Sequence, residues 1–287
     1  MYKPTGQQQQ GMALFQVLLI VAIISVLLII MSQQTQSSVA RAQQMQDQLE
    51  LQLALDSSAA YMDSLLISNE WLSARKDQQN PLYGINFYSH ATRMPLPQRL
   101  AYAPLNYQVT LALQNEASLI DLNFSTSKLQ KLLIHLGKAE PEARRLAQTV
   151  RDWVSSGGGR TLQAIAELSQ LPGWQVSDVE LIRPYVSVRA PIFNPAWMPD
   201  GLLPVLLSPW QADSIVSLRE NNEVSAGLLQ EFYPETDPLD SGVFPGESQR
   251  MWLTAEPQGL SLYREVDYRP RNPSPLRSHA TYYQLKE

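Results

Sequence analysis

Cysteine is absent from all 287 residues, which excludes thiolate zinc sites, iron–sulfur clusters, cysteine nucleophiles and disulfides. Charge is also scarce: Asp, Glu, Lys and Arg make up 17% of the chain, and the formal net charge is -5. Twenty-two Lys and Arg against 27 Asp and Glu disfavour non-specific binding to phosphate backbones, which needs clustered positive charge. Histidine is limited to His90, His135 and His279, far apart and with no carboxylate at ligand or triad spacing. The glycine-rich run from Ser155 to Gly159 lacks the lysine and the strand-to-helix setting of a phosphate loop. No catalytic constellation emerges, and the chain reads as a non-enzyme. Apolar types make up 44%, enough for one large or two modest domains with a real core.

Apolar residues are also concentrated in one place. No ionisable side chain occurs from Pro4 to Ala40, and Met12 to Met31 is an apolar run of twenty residues interrupted only by Gln16 and Ser25. At about 1.5 Å per residue such a helix covers roughly 30 Å, the thickness of bilayer hydrocarbon. A cleaved secretory signal is the rival reading. Its apolar region should be shorter, about 7–15 residues, with a small-residue cleavage site close behind. Ser38-Val39-Ala40 lies well beyond Met31.

The polar stretch Gln7 to Gln10, then Gly11, then at once Met12-Ala13-Leu14-Phe15, resembles the leader of type IV pilins and type II secretion pseudopilins. The resemblance implies cleavage by a prepilin peptidase between Gly11 and Met12, with Met12 as the N-methylated first residue. It also implies an anchor in the bacterial inner membrane and a periplasmic C-terminal domain. Most pilins carry glutamate at the fifth mature position, where this chain has Gln16. The minor pseudopilin K family is the branch that lacks that glutamate, and its place at the filament tip leaves no neighbour to pair with a carboxylate. An unpaired carboxylate inside a bilayer is costly.

Ser32 to Leu72 contains neither proline nor glycine, and Met45, Leu49, Leu53, Leu55, Ala59, Met62 and Leu66 recur near helical spacing. This predicts a stem helix continuing from the apolar run. Asn80 to Pro104 reads as an irregular connection. Tyr107 to Leu113 alternates as a strand, Asn115-Glu116 can turn, and Ser118 to Leu122 can return as its partner. Met251 to Thr254, Leu260 to Val266 and Thr281 to Leu285 give late strands. Between lie helices expected from Ser125 or Ser127 to Gly137, Glu142 to Trp153, Leu162 to Leu168, Val176 to Tyr185 and Pro209 to Arg219. The expectation is an α+β fold: a pilin-like long N-terminal helix packed on a small antiparallel sheet, with a large α-helical insertion. Its segments are a leader (1–11), a transmembrane half-helix (12–31), a stem (32–75), a sheet region (76–123 and 245–287) and the insertion (124–244).

Leu119 to Asn123, Arg151-Asp152-Trp153-Val154, Ala166-Glu167-Leu168 with Leu171-Pro172-Gly173, Pro191 to Pro195 and Leu207 to Ala212 are similar, in order, to landmarks of the K pseudopilins. The resemblance implies a minor pseudopilin of type II secretion, joining minor partners of the I and J type, priming the pseudopilus and limiting its growth. It further implies calcium after the Asp-Trp segment. Here that acidic cluster is replaced by Ser155 to Gly159 and Arg160. Calcium needs several converging oxygen ligands, and Asp152 alone does not supply them. Glu235, Asp237 and Asp240, with Glu247, form a second acidic candidate, against which stands a solvated acidic loop.

Two other readings share parts of this pattern. A minor pilin of a type IV pilus would have the same leader and stem. A helix–hairpin–helix DNA-binding protein would use Leu168 to Ile182. Against the latter, Arg183, Arg189 and Arg219 are outnumbered between Thr161 and Glu220 by Glu167, Asp178, Glu180, Asp200, Asp213 and Glu220, and no nucleic-acid partner is expected.

Overall fold

The computed structural model describes residues 7–69, 78–94, 108–155, 161–189, 193–221, 248–256, 259–268 and 279–284, with backbone alone at 7–13 and 279–284. Helix α1 spans Gln7–Ser68. The chain divides into two compact units, residues 1–53 and 54–287. In the first, α1 is exposed along most of its length. From residue 54 onward α1 becomes amphipathic: Leu55, Ser58, Ala59, Met62, Leu65 and Leu66 are buried, recurring every three or four residues as one face of a helix must.

The second unit is built on a five-stranded antiparallel sheet. Its strands are β1 (Thr92–Arg93), β2 (Gln108–Asn115), β5 (Ser248–Glu256), β6 (Leu260–Asp267) and β7 (His279–Gln284), in that spatial order. Period-two alternation gives the sheet two distinct faces. Val109, Leu111, Leu113, Met251, Leu253, Ala255, Leu262 and Val266 are fully buried. The stem half of α1 is tied to β6 and its end by Asp63, which accepts from Arg264 Nη2 at 2.9 Å and Tyr268 Oη at 2.7 Å. Thr110, Ala112, Trp252, Thr254 and Tyr263 alternate with that core and remain half-buried.

β2 and β5 are neighbours, with Leu111 opposite Leu253 and Asn115 opposite Gln249. Everything between Asn115 and Ser248 is therefore inserted between two adjacent strands. That block holds β3 (Ile120–Asp121), α2 (Thr126–His135), α3 (Glu140–Ser155), α4 (Val176–Ile182), β4 (Val186–Ser187), α5 (Leu203–Leu206) and α6 (Pro209–Glu220), with short 3-10 turns between them. α2 is followed by its C-cap Leu136 and then by Gly137, whose φ is 94°. Gly137 N–H reaches Ile134 O and Lys138 N–H reaches Leu133 O, the pair of bonds that closes a helix through a left-handed residue. α3 opens with Glu140, Pro141 and Glu142, where a missing N–H costs nothing and negative charge suits the helix dipole. Leu129, Leu132 and Leu133 of α2, with Ala143, Leu146, Ala147 and Val150 of α3, are all buried.

The expected return strand from Ser118 to Leu122 does not pair with β2. Glu116–Ser118 is a 3-10 turn, and Ile120–Asp121 instead pairs in parallel with Val186–Ser187. Both flanks of β2 are already taken, by β5 on one side and on the other by β1 with the Phe87 and Ser89 backbone. The helix expected over Leu162 to Leu168 is a 3-10 segment from Ile165 to Gln170. The Asn123 side chain takes both the N–H and the carbonyl of Leu162, which holds that residue outside any helix.

Candidate functional site

Two features carry chemistry. The first is the apolar part of α1, whose mean hydropathy reaches 3.1 near its N-terminus. Every large apolar side chain from Leu14 to Met31 is about half exposed or more. A row of this length is far larger than the scattered apolar residues of an ordinary surface. The helix satisfies its own backbone, and the Ser25 hydroxyl returns to Val21 O at 2.8 Å, which is what a segment in hydrocarbon requires. By length and composition it can cross a bilayer once. Gln16 lies exposed within this row. Gly11 and Met12 belong to α1 by backbone, and the Met12 side chain is not among those described.

The second feature is a cleft of about 760 Å³ within the second unit, bounded by β5, β6 and the inserted block. On its floor, Arg250 faces Glu265 across the β5–β6 ladder and Trp252 faces Tyr263, the two ring centroids 5.1 Å apart. Directly opposite residues on antiparallel strands share a face, so the four side chains form one platform. Its walls include Ile165, Pro184 and Val188, and Glu180, Arg183 and Arg189 are charged groups along it.

Arg250 is the anchor of this arrangement. Nε donates to Glu116 Oε1 at 3.1 Å, Nη1 to Arg183 O at 2.9 Å and Nη2 to Val186 O at 2.8 Å. One guanidinium therefore joins β5 to the turn after β2 and to the chain entering β4. A planar fork with fixed donors suits three acceptors of this kind better than an ammonium would. Burial pushes the Glu116 carboxyl above the ordinary glutamate range, and the neighbouring Arg250 offsets only part of that rise. Burial likewise raises the Tyr263 phenol, whose hydroxyl donates to Glu265 Oε1 at 2.7 Å. Glu180 is held below its usual range by two hydrogen bonds from Arg183.

His90, solitary in the sequence, meets Asp200 at 2.7 Å through Nε2. Asp200 also accepts from Arg219 Nη1 at 3.0 Å, while Arg219 donates to the carbonyls of Ala196 and Met198 and lies over the Tyr88 ring. The cluster ties the 85–94 segment to the start of the turn at Asp200 and to α6. Asp152 accepts a hydrogen bond from Gln148. Among the described residues, no group of three or more His, Asp or Glu side chains converges on a point where a metal ion could sit. Glu235, Asp237, Asp240 and Glu247 lie outside the described residues. Arg183, Arg189 and Arg219, the basic residues of the 161–220 stretch, each face a carboxylate.

No sequence motif marked the Arg250 cleft. Period-two alternation places Arg250, Trp252, Tyr263 and Glu265 on one face, but the partner Glu116 comes from far up the chain and is reached only through the sheet register. No family model matches the chain, and no curated protein matches it.

Proposed function

We propose that this chain is a minor pseudopilin of the K type, anchored in a bacterial inner membrane with its C-terminal unit in the periplasm, where it primes a type II secretion pseudopilus and limits its growth. The carrying observation is that α1 is both the apolar row and the stem. Residues from Leu14 to Met31 are exposed and uncharged, and the same helix from Leu55 to Leu66 presents a buried stripe to the core of the second unit. The inserted helical block between adjacent strands β2 and β5 is also the arrangement expected of that family. Gln16 supports the tip position, since a neutral side chain needs no pairing subunit in the bilayer. The activity is assembly rather than catalysis. The partners are the I-type and J-type minor pseudopilins, with the prepilin peptidase as the processing enzyme.

The test is N-terminal sequencing and mass measurement of the protein recovered from the membrane of a cell that contains a prepilin peptidase. The mature chain should begin at methylated Met12. A start near Arg41 would overturn the assignment by showing that the apolar helix is discarded. Co-purification with pilus components in place of secretion components would assign the chain to a type IV pilus.

A further inference from the structure

The membrane anchor does not account for the cleft over Trp252 and Tyr263. Three arginines and three glutamates line it, yet their pairing is uneven. Arg183 is held at two points by Glu180. Arg250 is buried and spent on Glu116 and two carbonyls. Glu265 accepts the Tyr263 hydroxyl. Arg189 differs: its nearest carboxylate oxygen, Glu265 Oε2, stands at 3.6 Å, beyond hydrogen-bonding distance. Its side chain is 43% exposed. A guanidinium has five donors in a rigid fork suited to a carboxylate, and this one is the least satisfied charge in the cleft.

We infer that the cleft binds an acidic segment of a partner polypeptide, a carboxylate side chain on Arg189 beside an apolar side chain on the Trp252–Tyr263 platform. The two features needed, a forked cation and an aromatic surface, lie within one open cleft whose volume of about 760 Å³ can take a few residues of extended chain. The apolar wall of Ile165, Pro184 and Val188 suits such a segment. A nucleic acid fits poorly: its run of phosphates would need a run of cations, and here Arg183 and Arg250 are already held by Glu180 and Glu116, which leaves Arg189 to a single carboxylate. The inference needs only the fold of the second unit, so it stands or falls independently of leader processing.

The experiment is titration calorimetry of the full chain in detergent micelles. The probes are a capped Leu-Phe-Glu-Leu peptide, its Gln twin and free phenylpropionate. The Glu peptide should bind about tenfold more tightly than the Gln twin, the ratio set by a charge-assisted hydrogen bond, and the advantage should shrink as salt rises. Arg189→Ala should erase the difference between the twins, and Arg189→Lys should retain part of it. Equal affinity of the twins, binding of neither, or an unchanged preference in Arg189→Ala would overturn the site. Phenylpropionate binding as tightly as the Glu peptide would replace the polypeptide with a small carboxylate and sink the inference as stated.

Discussion

Arg250 and Glu116 meet at 3.1 Å with only 2% and 4% of their side chains exposed, although they are separated by the whole inserted block. That contact closes the base of the insertion onto the sheet. Arg250→Met removes the donor for Glu116 and for the carbonyls of Arg183 and Val186. Each buried acceptor left without a donor costs about 1–3 kcal/mol, so the variant should lose at least about 3 kcal/mol in denaturant unfolding of the second unit. Glu116→Gln keeps an acceptor in place and should cost much less.

The raised Glu116 carboxyl makes stability depend on pH in a defined direction. The folded state holds this proton more tightly than the unfolded chain does, so the group's contribution is complete below the ordinary glutamate range. It is lost as pH rises through the higher folded value. Comparing urea midpoints of the native chain and Glu116→Gln across pH 4 to 8 isolates this component. The native chain should show the steeper decline with increasing pH, and parallel curves would refute the assignment.

Asp63 holds the stem to the sheet region by accepting from Arg264 and Tyr268 together. Asp63→Ala strands two donors in a half-buried place and should cost about 3–6 kcal/mol, the sum expected for two hydrogen bonds to a carboxylate. Tyr268→Phe removes one of them and should cost about 1.5–3 kcal/mol. Thermal unfolding of both variants checks the ratio. Burial together with the adjacent Asp63 also raises the Tyr268 phenol, so its ionisation should lag behind that of exposed tyrosines in an alkaline absorbance titration.

An added Cβ at Gly201 would stand 2.9 Å from the Tyr185 hydroxyl and 3.1 Å from its ring, so the half-buried Tyr185 side chain must shift to admit it. Gly201→Ala should destabilise by about 1 kcal/mol, the low end of the usual cost of overpacking. Pairing it with Tyr185→Phe, which deletes the hydroxyl, should recover part of the loss in the same unfolding assay.

Gln16→Glu probes the proposed tip position. The head is remote in sequence from this residue, so the unfolding midpoint should not move. A lone carboxylate in hydrocarbon costs roughly 2.5–3.5 kcal/mol on insertion scales, so membrane retention or assembly should change. Wild-type secretion together with wild-type pseudopilus length in this variant would count against the tip position.

What could be read from residues alone was whatever depends on local periodicity. The twenty-residue apolar run after Gly11 sets a helix long enough for a bilayer whatever surrounds it. Spacing of three to four placed Leu129, Leu132 and Leu133 on the buried face of α2, and alternation marked β2, β5 and β6. Tertiary structure alone decided which of these elements met. A turn at Glu116 and a short strand after it were legible, but the strand's partner was not, because β5 and the 87–94 segment filled both edges of β2. The pairs His90–Asp200 and Glu116–Arg250 join residues far apart in the chain, and no spacing rule reaches that distance. Hydrophobic pattern is a property of neighbours along the chain, whereas a buried ion pair exists only where sheet register and packing bring two distant segments within about 3 Å, the length of a hydrogen bond.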